Sequence, residues 1–140
     1  MIYFISGHRN LTKVDFDNYY VPKLKEAIKK KSSCFVVGDY YGADRMAQLW
    51  LSENLPEEEH SRVTVYHMFN LPRILESKLF KTIGGFRDDV SRDSAMTEIS
   101  DQDIAFVYPG RWTSGTAQNI LRRLEVKPSW SEEKKIKEGI

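Results

Sequence analysis

The chain predicts an α/β domain: one Rossmann-like unit of three layers, with a mainly parallel sheet of four to five strands and helices on both faces. Two observations predict it. Short apolar runs alternate with stretches of helical spacing in the order β-α-β-α-β-loop-α-β-α. Three strand-to-helix junctions also carry glycine among small polar residues: Ser6-Gly7-His8-Arg9, Gly38-Asp39-Tyr40-Tyr41-Gly42-Ala43-Asp44, and Pro109-Gly110 through Ser114-Gly115-Thr116. In sheets of this class ligands bind beyond the carboxyl ends of the strands, so the three junctions are expected on one edge.

The elements follow in order. Met1 to Ile5 is a first buried strand, broken at Ser6-Gly7. Phe16 to Tyr20 form a turn or short helix. Pro22 suits a first helical turn, and Leu24, Ala27 and Ile28 continue with helical spacing. Cys34 to Val37 is a second strand, ended by Gly38. A helix from about Ala43 to Asn54 places Met46, Ala47, Trp50 and Leu51 on one face. Leu55 to Glu59 is a polar linker, and Arg62 to Met68 a third strand. Asn70 to Phe86, with Pro72, Gly84 and Gly85, reads as a long irregular loop holding a short helix near Ile74 to Phe80. A helix from Arg87 to Ile99 precedes a fourth strand, Ile104 to Tyr108. Pro109 to Asn119 is a small-residue turn into a last helix, Ile120 to Glu125.

Composition bounds the function. A chain of 140 residues is one domain with a real core, and 41% apolar content argues against disorder. The Rossmann-like domain spans 1–125, and 126–140 is a charged tail in which Ser131 to Lys135 could start a short helix. A net charge of +1 gives no global field toward nucleic acid or an anionic membrane. The lysines at 23, 25, 29, 30 and 31 read as a solvated helix face. Cys34 is the only cysteine, and with three scattered histidines it forms no zinc pattern, so neither metal nor cofactor is expected. No leader and no apolar run near about 18 residues is present, and a cytoplasmic protein is expected.

The junctions carry the chemistry. A strand that runs through a small-residue turn into a helix leaves unpaired N–H groups at the helix start, a seat for phosphate or ribose. At the first junction Gly7 permits close backbone approach, Ser6, His8 and Arg9 offer donors, and Arg9 could fork onto a phosphate. At the second, Asp39 could accept ribose hydroxyls, and Tyr40 or Tyr41 could stack on a base. Asp44 is either a ligand group or an ordinary first-turn carboxylate. At the third, Ser114, Gly115 and Thr116 could wrap a phosphate, or Ser114 could be a plain N-cap. Asn119 lies one turn beyond Gly115. A fourth cluster, Arg87, Arg92, Asp93 and Met96, puts an arginine before the same edge.

In their order these segments resemble the SLOG superfamily of Rossmann-like domains, nearest its YpsA-like branch and related to the Lonely Guy phosphoribohydrolases and nucleoside deoxyribosyltransferases. The likeness rests on Ser6 to Arg9, Gly38-Asp39 through Gly42-Ala43-Asp44, Arg92-Asp93 with Met96, Asp103 to Val107, and Ser114-Gly115-Thr116 with Asn119. It covers roughly residues 1–125. It implies a nucleotide-derived ligand, enzymes that cleave or transfer an N-glycosidic bond, and a homo-oligomer. The apolar content of Phe69 to Phe86 is a candidate contact patch.

One departure matters. Lonely Guy enzymes carry Pro-Gly-Gly-x-Gly-Thr-x-x-Glu at this junction, and the glutamate is catalytic. This chain has Gly115-Thr116-Ala117-Gln118-Asn119, an amide where the acid stands. The expected function is therefore binding of an ADP-ribose-like or cyclic signalling nucleotide, as a sensor or a sequestering sponge. Nucleotide signalling and phage defence are the settings that the resemblance implies. The alternative is a nucleotide N-glycoside hydrolase or transferase that uses Asp39, Asp44 or Asp93 as its acid. A nucleic-acid module has only the lysine-rich helix in its favour.

Overall fold

The computed structural model describes residues 1–126, and the expected tail helix lies outside them. Five strands form one all-parallel sheet: β1 (Ile2–Ile5), β2 (Cys34–Val37), β3 (Val63–Met68), β4 (Lys81–Phe86) and β5 (Gln102–Ile104). The helices are α1 (Lys13–Tyr19), α2 (Val21–Ile28), α3 (Ala43–Asn54), α4 (Asp89–Ile99) and α5 (Gly115–Val126), with a 3-10 turn over Glu57–Arg62.

The strand order is β4-β3-β2-β1-β5. The chain steps outward from β1 to β4, then returns through α4 to lay β5 on the other side of β1. Connections leaving β1 and β5 therefore diverge, which opens a crevice at their carboxyl ends. Strand alternation builds the three layers. Ile5, Phe35, Val37 and Val65 face a core with Phe16, Leu24, Ala47 and Leu51 of α1 to α3. Phe4, Val36 and Tyr66 face Met96 of α4. Ala105, Val107, Ala117 and Ile120 join α5 to the chain after β5.

Local chemistry sets the helix starts. Thr12 caps α1 by accepting from Asp15 N–H at 3.1 Å, and Asp88 caps α4 by accepting from Ser91 N–H at 2.7 Å. Gly42 precedes α3 at φ 75°, a left-handed conformation that glycine adopts without strain, and it lies against the Arg9 main chain.

Three expectations are revised. The passage 70–86 is not loop throughout, because Lys81–Phe86 is the edge strand β4. Five of its six residues are exposed and it holds Gly84 and Gly85, so the period-2 burial signal that marks a strand is missing. The short helix near Ile74 to Phe80 does not form. Its backbone is held instead by Gln48 of α3, whose Nε2 donates to Ile74 O at 3.2 Å and whose Oε1 accepts from Glu76 N–H at 3.0 Å. The last strand ends at Ile104 rather than Tyr108. Beyond it, Phe106 N–H donates to the Tyr20 hydroxyl at 3.1 Å and Tyr108 N–H to His8 Nε2 at 3.0 Å, so side chains replace the sheet ladder.

Of the apolar residues in 69–86, Phe80 is buried in the core and Phe86 stacks on Tyr66 at 5.8 Å. Phe69, Leu71 and Leu79 stay exposed. Among the described residues no helix is long and apolar enough to cross a membrane.

Candidate functional site

A cavity of about 440 Å³ opens at the carboxyl edge. Its walls come from all three glycine-bearing junctions and from α4: Ser6 to Arg9, Gly38, Tyr40, Asp44, Arg92, Asp93, Ser114, Gly115, Thr116 and Asn119 among them. Phe4 and Met96 supply apolar surface, and Asn10, Tyr41, Asp89 and Arg111 complete the lining. Arg87 of the fourth cluster does not line it, and neither do five residues of the glycine-bearing junctions. These are Asp39, Gly42, Ala43, Pro109 and Gly110, which shape the turns beside it.

The third junction is both a cap and an open helix start. Ser114 Oγ accepts from Ala117 N–H at 3.2 Å. The N–H groups of Gly115 and Thr116, the first two of α5, precede the helix's own hydrogen-bond ladder and sit in the cavity lining. Opposite in sequence, Ser6 at the end of β1 is 6% exposed, and its hydroxyl has no hydrogen-bond partner. The hydroxyls of Ser33 and Thr97 are likewise buried without a partner among the described residues, and of the three residues only Ser6 lines the cavity.

Tyr20 ties two of these walls together. Its hydroxyl donates to Ser6 O at 2.7 Å and accepts from Phe106 N–H at 3.1 Å. Burial raises the phenol well above its usual range, so it stays protonated as that donor requires. Gly7 has no room for a side chain because the Tyr20 hydroxyl and Ala43 Cβ occupy the space.

His8 is buried, stacks on the Tyr108 ring at 5.1 Å, and accepts from Tyr108 N–H through Nε2. Burial, with the charge of Arg111 second, lowers its pKa. A neutral ring with its proton on Nδ1 satisfies both observations. Arg9 and Arg111 also line the cavity, and among the described residues neither forms a salt bridge.

Arg92 lines the cavity and is paired with carboxylates. Nη1 donates to Asp39 Oδ1 at 2.9 Å, and Nε and Nη2 donate to Asp93 Oδ1 at 3.2 and 3.1 Å. Asp89 lies 3.4 Å away. Asp39 is fully buried and also accepts from Arg73 N–H at 2.8 Å, Nε at 3.2 Å and Nη2 at 2.8 Å. Burial alone would raise the Asp39 carboxyl, but the hydrogen bonds and charges of Arg73 and Arg92 outweigh it and hold the group below the usual range. Asp39 is thus committed to two arginines, leaving little for a ribose.

Asp44 and Asp93 differ from Asp39. Asp44 Oδ2 accepts from Tyr40 N–H at 3.1 Å. Burial pushes its carboxyl up to about 7, against the pull of Arg92. Gly38 makes room for this arrangement, since a Cβ there would meet Asp44 Oδ2 and the Arg92 guanidinium. Asp93 is likewise raised by burial, against Arg92 and Asn119. Asn119 is 2% exposed; its Nδ2 donates to Asp93 Oδ2 at 3.0 Å, and its Oδ1 accepts from Arg122 Nη1 at 2.6 Å.

Residue-by-residue reading missed three supports. Arg73 comes from the stretch read as loop. Arg122 carries the last charge in the Asn119 chain. Arg123 is fully buried and donates to Asp103 Oδ1 and Oδ2 at 2.8 and 3.3 Å, and to Thr97 O and Ser100 O at 3.1 and 2.8 Å. That pair anchors α5 to β5 and so aims the start of α5 at the cavity. Its place one turn beyond Asn119 and Ile120, on the buried face of α5, was the only signal available for it.

Among the described residues, no group of three or more His, Cys, Asp or Glu side chains could hold a metal ion. Comparison with protein-family models, with curated proteins and with solved structures finds no match, so what can be said of kinship ends at the parallel five-stranded α/β fold.

Proposed function

We propose that the cavity binds a nucleotide or nucleotide-derived small molecule, with a phosphate at the start of α5. The observation that carries this reading is the start of α5, where Gly115 and Thr116 line the cavity together with Ser6 to Arg9 of the first junction. Arg9 and Arg111 supply cationic donors that have no carboxylate partner among the described residues. The volume of about 440 Å³ falls in the range of small-molecule pockets. The order of motifs resembling the YpsA-like SLOG branch supports the same ligand class, in a sensor or a sequestering protein that works as a homo-oligomer.

The test is recovery of the ligand. Protein purified natively, weighed by native mass spectrometry and then denatured should release an intact nucleotide. The same spectrum reads the oligomer. Protein that carries no nucleotide, and gains none from a panel of them at millimolar concentration, would falsify the reading.

The second reading is hydrolysis or transfer at an N-glycosidic bond, and Asp44 favours it. A carboxyl in the cavity wall with a pKa of about 7 can hold a proton for a leaving base near neutral pH. Incubation with a nucleotide panel, followed by chromatography for free base, separates the two. Release that is lost in Asp44→Asn supports catalysis, and no free base from any substrate sinks it.

A further inference from the structure

Tyr40 lines the cavity between β2 and α3, half-buried, with its N–H fixed on Asp44. Two guanidinium groups lie over its ring. Arg73 Cζ is 4.6 Å from the ring centroid, and Arg9 Cζ is 4.7 Å away. They are held very differently. Arg73 is locked by three hydrogen bonds to the buried carboxylate of Asp39. Arg9 is exposed and forms no salt bridge among the described residues, so the Tyr40 ring is the one partner seen for its guanidinium.

A cation over an exposed aromatic ring is weakly held, whereas a guanidinium on a phosphate gains a charge-assisted, two-pronged contact. A phosphate entering the cavity therefore draws Arg9 off the ring at a net gain. The vacated ring then meets the remainder of the ligand. Tyr41 also lines the cavity, but its exposed ring is tilted 59° to Tyr40 and, among the described residues, no cation lies over it.

We propose that Tyr40 is the platform on which a planar nucleobase stacks, and that Arg9 covers this platform until the ligand's phosphate displaces it. The inference rests on the phosphate-bearing ligand proposed above and specifies its other end. Selectivity is then for a base-bearing phosphate over a bare sugar phosphate. It is tolerant of base identity, because every base has a π face. Arg73, which does not line the cavity, stays over the ring because Asp39 holds it.

Calorimetric titration tests this with ribose 5-phosphate and the 5′-monophosphates of adenosine, guanosine, cytidine and uridine. The native protein should bind the nucleotides roughly tenfold more tightly than ribose 5-phosphate. Tyr40→Phe, which keeps the ring, should keep that advantage. Tyr40→Leu should abolish it while binding ribose 5-phosphate no more weakly than the native protein, because Arg9 no longer has to leave a ring. Arg9→Ala should weaken all five probes. A nucleotide advantage that survives in Tyr40→Leu overturns the stacking role, as does ribose 5-phosphate binding as well as the nucleotides to the native protein. If no probe binds the native protein, the phosphate seat itself has failed and the platform falls with it.

Discussion

The side-chain amide of Asn119 donates to the carboxylate of Asp93 at 3.0 Å, joining α5 to α4 across one wall of the cavity. The amide at position 119 is therefore more than the absence of an acid. The amide orients an acid delivered from the neighbouring helix, and Arg122 satisfies its other end. A carboxylate at 119 would stand against Asp93, so asparagine is the residue type that this pairing accepts.

Asn119→Ala should remove a hydrogen bond to a buried charged group and leave Asp93 short of a donor. A loss of about 1.5–3 kcal/mol is expected in urea unfolding. Asn119→Asp should lose at least as much through like-charge repulsion. A variant as stable as the native protein would show that the bridge carries no weight.

Stability should depend on pH through Asp44. Its folded pKa of about 7 lies above the value of about 4 for an unfolded aspartate. Between those values the folded protein keeps a proton that the unfolded chain releases. The contribution is full below about pH 4 and is lost as pH rises through about 7. The raised Asp93 acts with the same sign. Asp39 and His8, both held low, act oppositely: each contribution is lost as pH falls through the folded pKa, and that of His8 offsets part of the Asp44 slope in the same window. The urea midpoint should fall between about pH 5 and about pH 8, and Asp44→Asn should flatten the slope. An unchanged slope in the variant assigns the effect elsewhere.

Tyr20→Phe leaves the buried Phe106 N–H and Ser6 O without their shared partner. The expected cost is about 1–3 kcal/mol. Amide hydrogen exchange at Phe106 should accelerate more than exchange in α3. Equal acceleration at both sites would mean that the hydroxyl stabilises the fold without specifically holding the crevice.

Gly42→Ala should destabilise by about 1 kcal/mol or more, because φ is 75° and a Cβ would meet the Arg9 main chain, which cannot rotate away. Since Arg9 belongs to the first junction, ligand affinity should fall as well. Thermal unfolding and calorimetry read the two effects separately.

What the amino-acid order determined by itself is the layered α/β plan and the sheet edge at which the glycine-bearing junctions and the cavity lie. Those follow from local signals: buried strand runs such as Cys34 to Val37, the spacing of Ala47 and Leu51 on α3, and glycines where strands turn into helices. β4 escaped because an exposed edge strand with two glycines has no burial period to read. What only the tertiary structure decided is which charges meet. Asp39, Asp44 and Asp93 are alike as letters. Two arginines hold Asp39 ionised, burial holds Asp44 near neutrality, and Asn119 and Arg92 orient Asp93. Arg73 and Arg123 reach their carboxylates from segments 34 and 20 residues away. Ion-pair partners across such separations are set by the fold, since the strength of a charge depends on what surrounds it.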